Sequence, residues 1–452
     1  MTIELMPVGV TCNLSCPYCY EHPMREAGNF GPKEYDVDKM LTSLKREGEH
    51  FTIFGGEPLL THIEDLEIIW QYGYQQFGQN NIQSNGCLIT DAHIELFKKY
   101  NVHVGMSVDG PDELNDTRWA GSLKKTRLMT QKSMDAIDKL CDIGRPPALI
   151  LTIHRKNGLL KHRQRLKDWL LKLEKQGVRN VRLHTLEVEN NQIMDTLALT
   201  DQESVEFLLD MWEFGESECQ YIRFDLFSDI FKCQNSKDGN ATCTLQTCDP
   251  YTTHAVQGVD GYGNQNNCGR SNKEGIDFSK ADQDGFERNV ALYFTPQEHG
   301  GCKGCEYWAM CKGYCPGTSL NNDWRNRTLE CGQLKIMFGI AEKLMLQQGQ
   351  VPFSQRPDRK EVEDKMLELM MSGTNTTIET ADWLTKAGRG VDDWAREYKF
   401  RYKNRGLLNN NLKDANVEHL ERLRSLAIMA NVDLYQVVPD YDRRMENARD
   451  RN

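Results

Sequence analysis

The sequence predicts an α/β fold in its first part, followed by an irregular cysteine-rich segment and a helical C-terminal extension. Over the first 200 residues or so, short apolar runs alternate with amphipathic stretches, and this alternation favours parallel βαβ units. From about residue 241 to 335 the chain is dense in Cys, Gly and Asn and has little periodicity. The predicted domains are therefore residues 1–240, 241–335 and 336–452.

Six strands are predicted, at residues 3–10, 51–54, 81–83, 102–108, 148–153 and 178–183. Amphipathic helices are predicted at residues 63–77, 91–100, 131–143 and 165–176, and a further helix at 334–346 opens the C-terminal extension. Six repeats are too few for an eight-fold barrel, and in barrels the chemistry lies at the carboxyl ends of the strands. We therefore expect the functional loops to follow the strands and to share one rim.

Composition limits the function. The 452 residues carry a net charge of −11, which argues against a general binder of nucleic acid or acidic membranes. The sequence shows neither a secretory signal nor an apolar run of membrane-span length, so a cytoplasmic location is predicted. Fifteen cysteines in a reducing compartment are poor candidates for disulfides, and metal binding is the preferred explanation.

Three of these cysteines, Cys12, Cys16 and Cys19, follow the first predicted strand in a Cys-x-x-x-Cys-x-x-Cys run. A [4Fe–4S] cluster ordinarily takes four thiolates, so three would leave one iron open to a small molecule. Catalytic metal sites keep such an open position, whereas structural sites close it. A three-cysteine zinc knuckle is the alternative on spacing alone.

This run, with Tyr18 before its last cysteine, resembles the core motif of the radical S-adenosylmethionine (SAM) enzymes. The resemblance implies a partial (β/α)6 barrel, a [4Fe–4S] cluster and SAM as cofactors. The turn Gly55-Gly56-Glu57-Pro58 follows the second predicted strand and resembles the family's turn for the amino group of SAM. Two glycines would let the backbone approach the ligand, and a carboxylate suits an ammonium group.

Later loops also resemble SAM contacts of the family. Ser84 and Asn85 follow the third predicted strand, and Ser107 and Asp109 follow the fourth. The resemblance implies that Ser107 contacts the ribose or the carboxylate. Arg118 falls where relatives place a basic residue near the methionine carboxylate. For Ser84 and Arg118, an ordinary strand-ending turn is the alternative.

The cysteine pattern of residues 241–335 suggests a zinc ribbon when it is taken alone. Taken with the first motif it resembles the SPASM domain, which carries two auxiliary [4Fe–4S] clusters in better studied relatives. The resemblance implies one ligand set of Cys243, Cys248, Cys268 and Cys315 and a second of Cys302, Cys305, Cys311 and Cys331. Cys233 is an alternative to Cys243. Together with Cys87, Cys141 and Cys219, it is otherwise expected to be a buried small hydrophobe.

The resemblance implies an enzyme, a peptide-modifying radical SAM oxidoreductase that cleaves SAM to methionine and a 5′-deoxyadenosyl radical. We predict that it matures a ribosomally made precursor peptide, with a thioether or carbon–carbon cross-link as the preferred product, and receives electrons from a flavodoxin- or ferredoxin-type partner. Sulfatase maturation, which makes formylglycine, is the alternative within the subgroup. A non-catalytic metal-binding module is the alternative outside it.

In the sulfatase-maturing relatives an Asp follows the cysteine that corresponds to Cys268 and serves as the general base. This chain has Gly269 and then Arg270, and a missing base puts that reaction in doubt. The sequence does not rank the candidate acid–base or relay residues, which are Tyr262, Asp260, His184 and Glu187. The helical extension is predicted to be a cap, a peptide-docking surface or a dimer contact.

Overall fold

A single nine-stranded sheet organises the protein. The computed structural model describes residues 3–28, 34–186, 191–249, 257–271, 285–374, 376–388, 391–409, 412 and 415–451. The strands are β1 (Ile3–Met6), β2 (Phe51–Ile53), β3 (Asn80–Ser84), β4 (Val102–Ser107), β5 (Ala148–Ile153), β6 (Asn180–Thr185), β7 (Arg223–Phe224), β8 (Gln257–Asp260) and β9 (Gln265–Asn267).

The strand order is β7-β6-β5-β4-β3-β2-β1-β8-β9. All neighbours pair in parallel except β8 and β9, which form an antiparallel hairpin. Leu5 of β1 lies between Ile53 on one side and Val259 on the other, and all three side chains are fully buried. Apolar runs covered on both faces are typical of parallel sheets, so the prediction of a parallel α/β sheet is confirmed.

The predicted strand count is too low. All six predicted strands are present, but β7, β8 and β9 extend the sheet beyond them. β7 has only two residues and β9 reads Gln-Asn-Asn, so neither carries an apolar run. The first strand ends at Met6 rather than at residue 10, because the chain turns there and Gly9 takes a φ of 57°.

The α-helices of the first half are α1 (His22–Glu26), α2 (Val37–Glu47), α3 (Ile63–Phe77), α4 (Asp91–Lys99), α5 (Leu123–Asp142), α6 (Arg155–Gly158), α7 (Leu160–Gln176), α8 (Asn191–Thr196) and α9 (Asp201–Ser217). Those of the second half are α10 (Asp225–Gln234), α11 (Glu287–Phe294), α12 (Trp308–Cys311), α13 (Cys331–Gln347), α14 (Arg359–Met371), α15 (Ile378–Ala387), α16 (Val391–Lys403), α17 (Arg405–Asn409), α18 (Val417–Met429), α19 (Leu434–Val437) and α20 (Tyr441–Arg449).

Short 3-10 helices span Pro58–Leu60, Asp112–Asn115, Asp238–Asn240, Cys243–Leu245, Gln297–His299, Pro316–Thr318, Leu320–Asn322 and Phe353–Gln355. The predicted helices lie within α3, α4, α5, α7 and α13, with differences at their ends. α5 begins eight residues earlier than predicted, because the Ser122 side chain caps it by accepting a hydrogen bond from the Lys125 backbone N–H. A cap of this kind satisfies one of the free amides of the first turn.

One apolar core reaches from β1 to α15 and includes residues of the cysteine-rich segment, such as Trp308 and Met310. The predicted boundary at residue 241 therefore does not separate two cores, since β8 also pairs with β1. A second, smaller core lies among α16–α20 around Leu420, Leu423 and Tyr441. Among the described residues, no helix combines the length and the apolar character needed to cross a membrane.

Candidate active site at the carboxyl edge of the sheet

The main cavity, of about 310 Å³, opens where the strands end. Its size lies at the lower end of the range for ligand sites. The predicted site residues that line it are Cys12, Cys16, Tyr18, Cys19, Gly55, Gly56, Ser84, Asn85, Ser107, Arg118, Cys243, Cys248, Cys268 and Cys315. The expectation that the functional loops share one rim is confirmed.

The loop that carries the first three cysteines is held by its neighbours in the sheet. The Ser15 backbone N–H donates to the Trp119 carbonyl at 2.7 Å. Asn13 accepts from the Asn85 side-chain amide at 2.8 Å and donates to the Cys87 sulfur at 2.9 Å. These bonds tie the cysteine loop to the loops after β3 and β4, so the loop that carries the thiols is held by two separate segments.

The two glycines after β2 pack against this same loop. A Cβ on Gly55 would lie 2.4 Å from the Gly9 carbonyl oxygen, and one on Gly56 would lie 2.3 Å from the Thr11 carbonyl oxygen. The Gly56 and Glu57 backbone N–H groups donate to these two carbonyls, each at 2.9 Å. The sequence prediction assigned the glycines to close approach of a ligand. The structure shows that they permit close approach of the cysteine loop.

Glu57 is fully buried and is not part of the cavity wall. Its carboxylate accepts from the Ser84 hydroxyl at 2.8 Å, the Asn85 backbone N–H at 2.9 Å and the Leu59 backbone N–H at 3.0 Å. Burial raises its pKa, and the three hydrogen bonds oppose that rise. The arrangement orients the Ser84–Asn85 loop instead of presenting a carboxylate to a ligand. Pro58 is likewise buried away from the wall.

Asp109 is also fully buried behind the wall. It pairs with Arg118 at 3.0 Å and with His154 Nε2 at 3.2 Å, and it accepts a short hydrogen bond from the Tyr18 hydroxyl. Burial opposes ionisation, but Arg118 and His154 outweigh it, so the pKa of Asp109 is lowered. Asp109 therefore fixes Arg118 and Tyr18, which do line the cavity.

His154 is a residue that the sequence analysis missed. It follows β5 directly, as the other functional loops follow their strands, and that position was the available signal. The Lys156 backbone N–H donates to His154 Nδ1 at 3.2 Å. This bond leaves the proton on Nε2, which faces Asp109.

The first predicted auxiliary set lines the same cavity. Cys243, Cys248, Cys268 and Cys315 all line it. Burial, then the nearby Glu4 carboxylate and the thiols of Cys315 and Cys243, raise the pKa of Cys268 to about 12. Cys233 is instead fully buried on α10 and does not line the cavity. Of the two alternatives, only Cys243 is therefore placed with the other three thiols.

The second predicted set surrounds a separate small cavity of about 20 Å³. Its lining includes Cys302, Cys305, Cys311 and Cys331. Burial raises the pKa of Cys302 to about 12, with further contributions from Cys305 and Cys331. Each of the two predicted groups of four cysteines thus lines one cavity, and their division into two cluster-binding sets stays a prediction.

Cysteine thiolates bind both zinc and iron–sulfur clusters. A single tetrahedral zinc with Zn–S bonds of about 2.3 Å requires sulfur atoms roughly 3.8 Å apart. In the described part of the chain, no three Cys, His, Asp or Glu side chains converge closely enough to bind one metal ion. Burial also raises the pKa of Cys16 to about 12, so its thiolate needs a nearby cation. Thiols grouped around a cavity are the ligands that iron–sulfur clusters take.

The wall next to Gly269 carries a carboxylate from another segment. A Cβ on Gly269 would lie 3.6 Å from Glu21 Oε1 and 3.0 Å from the Tyr20 ring. Glu21 lines the cavity, is only 2% exposed, and its Oε1 has no hydrogen-bond partner. Its other oxygen lies 3.5 Å from Arg25. Burial raises the pKa of Glu21 to about 8, with Arg25 opposing the rise. Sequence reasoning missed Glu21.

The four residues that the sequence did not rank differ in position. His184 lines the cavity with Nε2 3.1 Å from Arg270. Asp260 accepts from the Tyr262 and Asn264 backbone N–H groups, each at 2.8 Å, and so holds the β8–β9 turn. Tyr262 is exposed and does not line the cavity. Glu187 lies outside the described residues.

Comparison with known proteins identifies the first part of the chain. Residues 6–170 match the Radical SAM superfamily. These residues are a radical SAM domain. The cofactors of this superfamily are a [4Fe–4S] cluster and SAM, as predicted.

Two curated relatives are maturation enzymes. The chain is 34% identical over 126 residues to a serine-type anaerobic sulfatase-maturating enzyme of Bacteroides thetaiotaomicron, covering 25% of this chain and 30% of that protein. It is 28% identical over 153 residues to the sporulation killing factor maturation protein SkfB of Bacillus subtilis, covering 32% of this chain and 34% of that one. The chain thus spans about a third of the length of these relatives.

A solved structure shares the fold. The structure titled native anSMEcpe with bound AdoMet and Cp18Cys peptide aligns with a TM-score of 0.56 at 18% identity. The alignment covers 77% of this chain and 98% of that one. The aligned part is therefore longer than residues 6–170, and the similarity establishes a common fold.

Proposed function

We propose that this protein is a radical SAM maturase that oxidatively modifies a ribosomally made precursor peptide, with a cross-link, thioether or carbon–carbon, as the preferred product. One observation carries the proposal. A single cavity is lined both by the loop of Cys12, Cys16 and Cys19 and by four further thiols. A substrate in this cavity would be close to both a three-thiol site that keeps an open position and a site with a full set of four thiols.

The first loop would hold a cluster through three thiolates and leave one iron for SAM. When bound, cluster and SAM supply the one-electron chemistry that removes a hydrogen atom from an unactivated carbon. Arg118, which is held by Asp109 and lines the cavity, offers a fixed positive charge to the methionine carboxylate. Asn85 and Ser107 offer polar contacts from the neighbouring loops.

A cross-link removes two hydrogen atoms from the peptide, one as an atom and one as a proton with an electron. The two groups of four cysteines supply all the ligands of two auxiliary clusters, which suits an electron acceptor with no open position for substrate. A flavodoxin- or ferredoxin-type protein would exchange electrons with the site from outside.

The test is anaerobic co-expression with each short reading frame next to the gene, followed by mass spectrometry of the peptides. We expect one peptide to lose two hydrogens, about 2 Da, with fragmentation locating the bond. Cys16→Ala is the matched control and should abolish both this change and SAM cleavage, because it removes a thiol that cannot be replaced within the loop. SAM cleavage without a mass change on any neighbouring peptide would contradict the proposal.

Sulfatase maturation is the second candidate, and two observations favour it. Curated relatives carry that activity in their names, and Glu21 places a carboxylate beside Gly269, where the sulfatase-maturing relatives place theirs. A synthetic sulfatase peptide with a Cys or Ser at the modified position separates the two candidates. Formylglycine on that peptide would support sulfatase maturation, and an unchanged peptide together with active SAM cleavage would exclude it.

A further inference from the structure

A second cavity, of about 100 Å³, adjoins the first. Leu183 and Thr185 line both cavities, so the two share the wall formed by the end of β6. The rest of the second cavity comes from the end of β5, the segments that follow β6 and precede α9, α9 itself, and residues 318–333 of the cysteine-rich segment. Junctions between structural units such as this one are frequent ligand sites.

The walls of this cavity are mostly aliphatic or aromatic. Its apolar lining residues are Ile153, Leu183, Leu186, Ala198, Leu199, Phe207, Leu208 and Leu329. The charged residues of the lining are Asp201 and Glu330, and both are acidic. Among the described residues that line it there is no Lys, Arg or His. The cavity therefore combines a long apolar surface with two acidic side chains and no basic one among the described residues that line it.

Gln333 supplies a buried hydrogen-bond acceptor in this lining. Gln333 is only 6% exposed and lines the cavity, and its side-chain oxygen Oε1 has no hydrogen-bond partner among the described residues. A buried acceptor without a partner is costly in a folded protein, which points to a donor that is supplied by a ligand.

Asp201 lines the same cavity and lies close to the backbone that precedes Gln333. Its Oδ2 is 3.0 Å from the position that a Cβ on Gly332 would occupy, one residue before Gln333. Asp201 is also the first residue of α9, where the helix dipole favours a negative charge. A carboxylate and an amide oxygen thus line the same small cavity, in which Thr185 also donates to Glu330 at 2.8 Å.

We propose that this second cavity, here called the lysine pocket, binds a lysine side chain of the peptide substrate. The four methylene groups of lysine suit the apolar walls, and the terminal ammonium supplies donors to Asp201 and Gln333. A purely apolar side chain would leave the Gln333 oxygen without a partner. The cavity measures only about 100 Å³, which favours the compact ammonium of lysine over the larger planar guanidinium of arginine. The inference rests on the proposed function insofar as the substrate is a peptide.

The test measures binding of two small probes to the anaerobically purified holoenzyme by ligand-observed NMR. The probes are Nα-acetyl-lysine N-methylamide and Nα-acetyl-norleucine N-methylamide, which share the same stem and differ in the ammonium. We expect the lysine probe to bind about fivefold more tightly, as one partly exposed ion pair would provide. Equal binding of the two probes would overturn the proposal.

Variants then locate the site. Asp201→Asn and Gln333→Leu should each abolish the preference for the lysine probe, whereas Glu216→Gln, an exposed acid further along α9, should preserve it. Ala198→Phe, which fills the cavity, should abolish binding of both probes while SAM still binds. A preference that survives both Asp201→Asn and Gln333→Leu would refute the assignment. Because no turnover is required, this outcome is distinguishable from a failure of the proposed maturase activity.

Discussion

Replacing Gly55 with alanine should damage the cofactor site through a single misplaced methyl group. Gly55 has a φ of +114°, and its Cβ would lie 2.4 Å from the Gly9 carbonyl oxygen. Neither partner is a flexible side chain, so the turn and the cysteine loop would have to separate. Gly121 provides a matched control, because its φ of +91° is similarly unfavourable for alanine but nothing lies within 4 Å of its Cβ position.

The difference between the two variants isolates the contact. Both alanines incur the cost of a left-handed backbone, about 1–2 kcal/mol. Only Gly55→Ala also incurs overpacking, which costs typically 1–3 kcal/mol. If the cysteine loop yields to relieve the overpacking, the same 1–3 kcal/mol is lost from SAM binding. That loss corresponds to a dissociation constant roughly 5- to 150-fold higher.

The assay is SAM binding to the anaerobically reconstituted protein by equilibrium dialysis, with iron content measured on the same samples. Gly121→Ala should bind SAM as the unmodified protein does, and Gly55→Ala should bind it more weakly or lose iron from the first loop. Equal SAM affinity and equal iron content in the two variants would refute the reasoning. The glycine would then not be required for close packing of the two loops.

Three further outcomes are expected. Cys243→Ser should lower the iron content by about one cluster, whereas Cys233→Ser should not, because of the two only Cys243 lines the cavity. Elemental analysis of both variants measures the iron, and iron loss in Cys233→Ser would contradict the prediction. Asp109→Asn should destabilise the protein by about 3–5 kcal/mol at neutral pH, since it leaves a buried cation without its counter-charge. Folding lowers the pKa of Asp109. The stabilisation is therefore present above the unfolded pKa of about 3.9 and is lost as the pH falls through the folded pKa. Denaturant unfolding should show the free energies of unfolding of the two proteins converging only below about pH 4. Lys312→Met should lower the free energy of unfolding by a similar amount, about 3–5 kcal/mol, because it leaves the buried Asp238 carboxylate without its cation, 2.9 Å away. Asp238 also accepts from the Ile378 backbone N–H at the start of α15. An unchanged unfolding midpoint by circular dichroism would contradict this prediction.

The parallel sheet could be predicted because its first six strands are short apolar runs separated by amphipathic helices. The edge strands could not. β9 reads Gln-Asn-Asn and lies within a cysteine-rich stretch, and its strand conformation is set by pairing with β8 rather than by its own residues. The joint core of the first two predicted domains escaped prediction for the same reason, since β8 joins them only through its pairing with β1.

The location of the site could be predicted more fully than the roles of its residues. Every loop that was singled out does reach the same rim, because parallel strands end at a common edge. The direction of each side chain depends on tertiary contacts that the sequence does not display. Glu57 and Asp109 do not line the cavity and hold Asn85 and Arg118, which do, so two residues predicted to contact the cofactor instead position residues of the cavity wall.

Gly269 illustrates the limit of position-by-position reasoning. The glycine in place of an aspartate predicts a site without a carboxylate at this wall, and for residue 269 that is correct. In three dimensions, however, the space beyond the glycine is approached by Glu21, whose Oε1 lies 3.6 Å from the missing Cβ. A carboxylate can thus be lost from one loop and supplied by another while the cavity keeps its chemistry. The departure at residue 269 therefore does not by itself exclude the sulfatase-type reaction, and the peptide assay decides between the two functions.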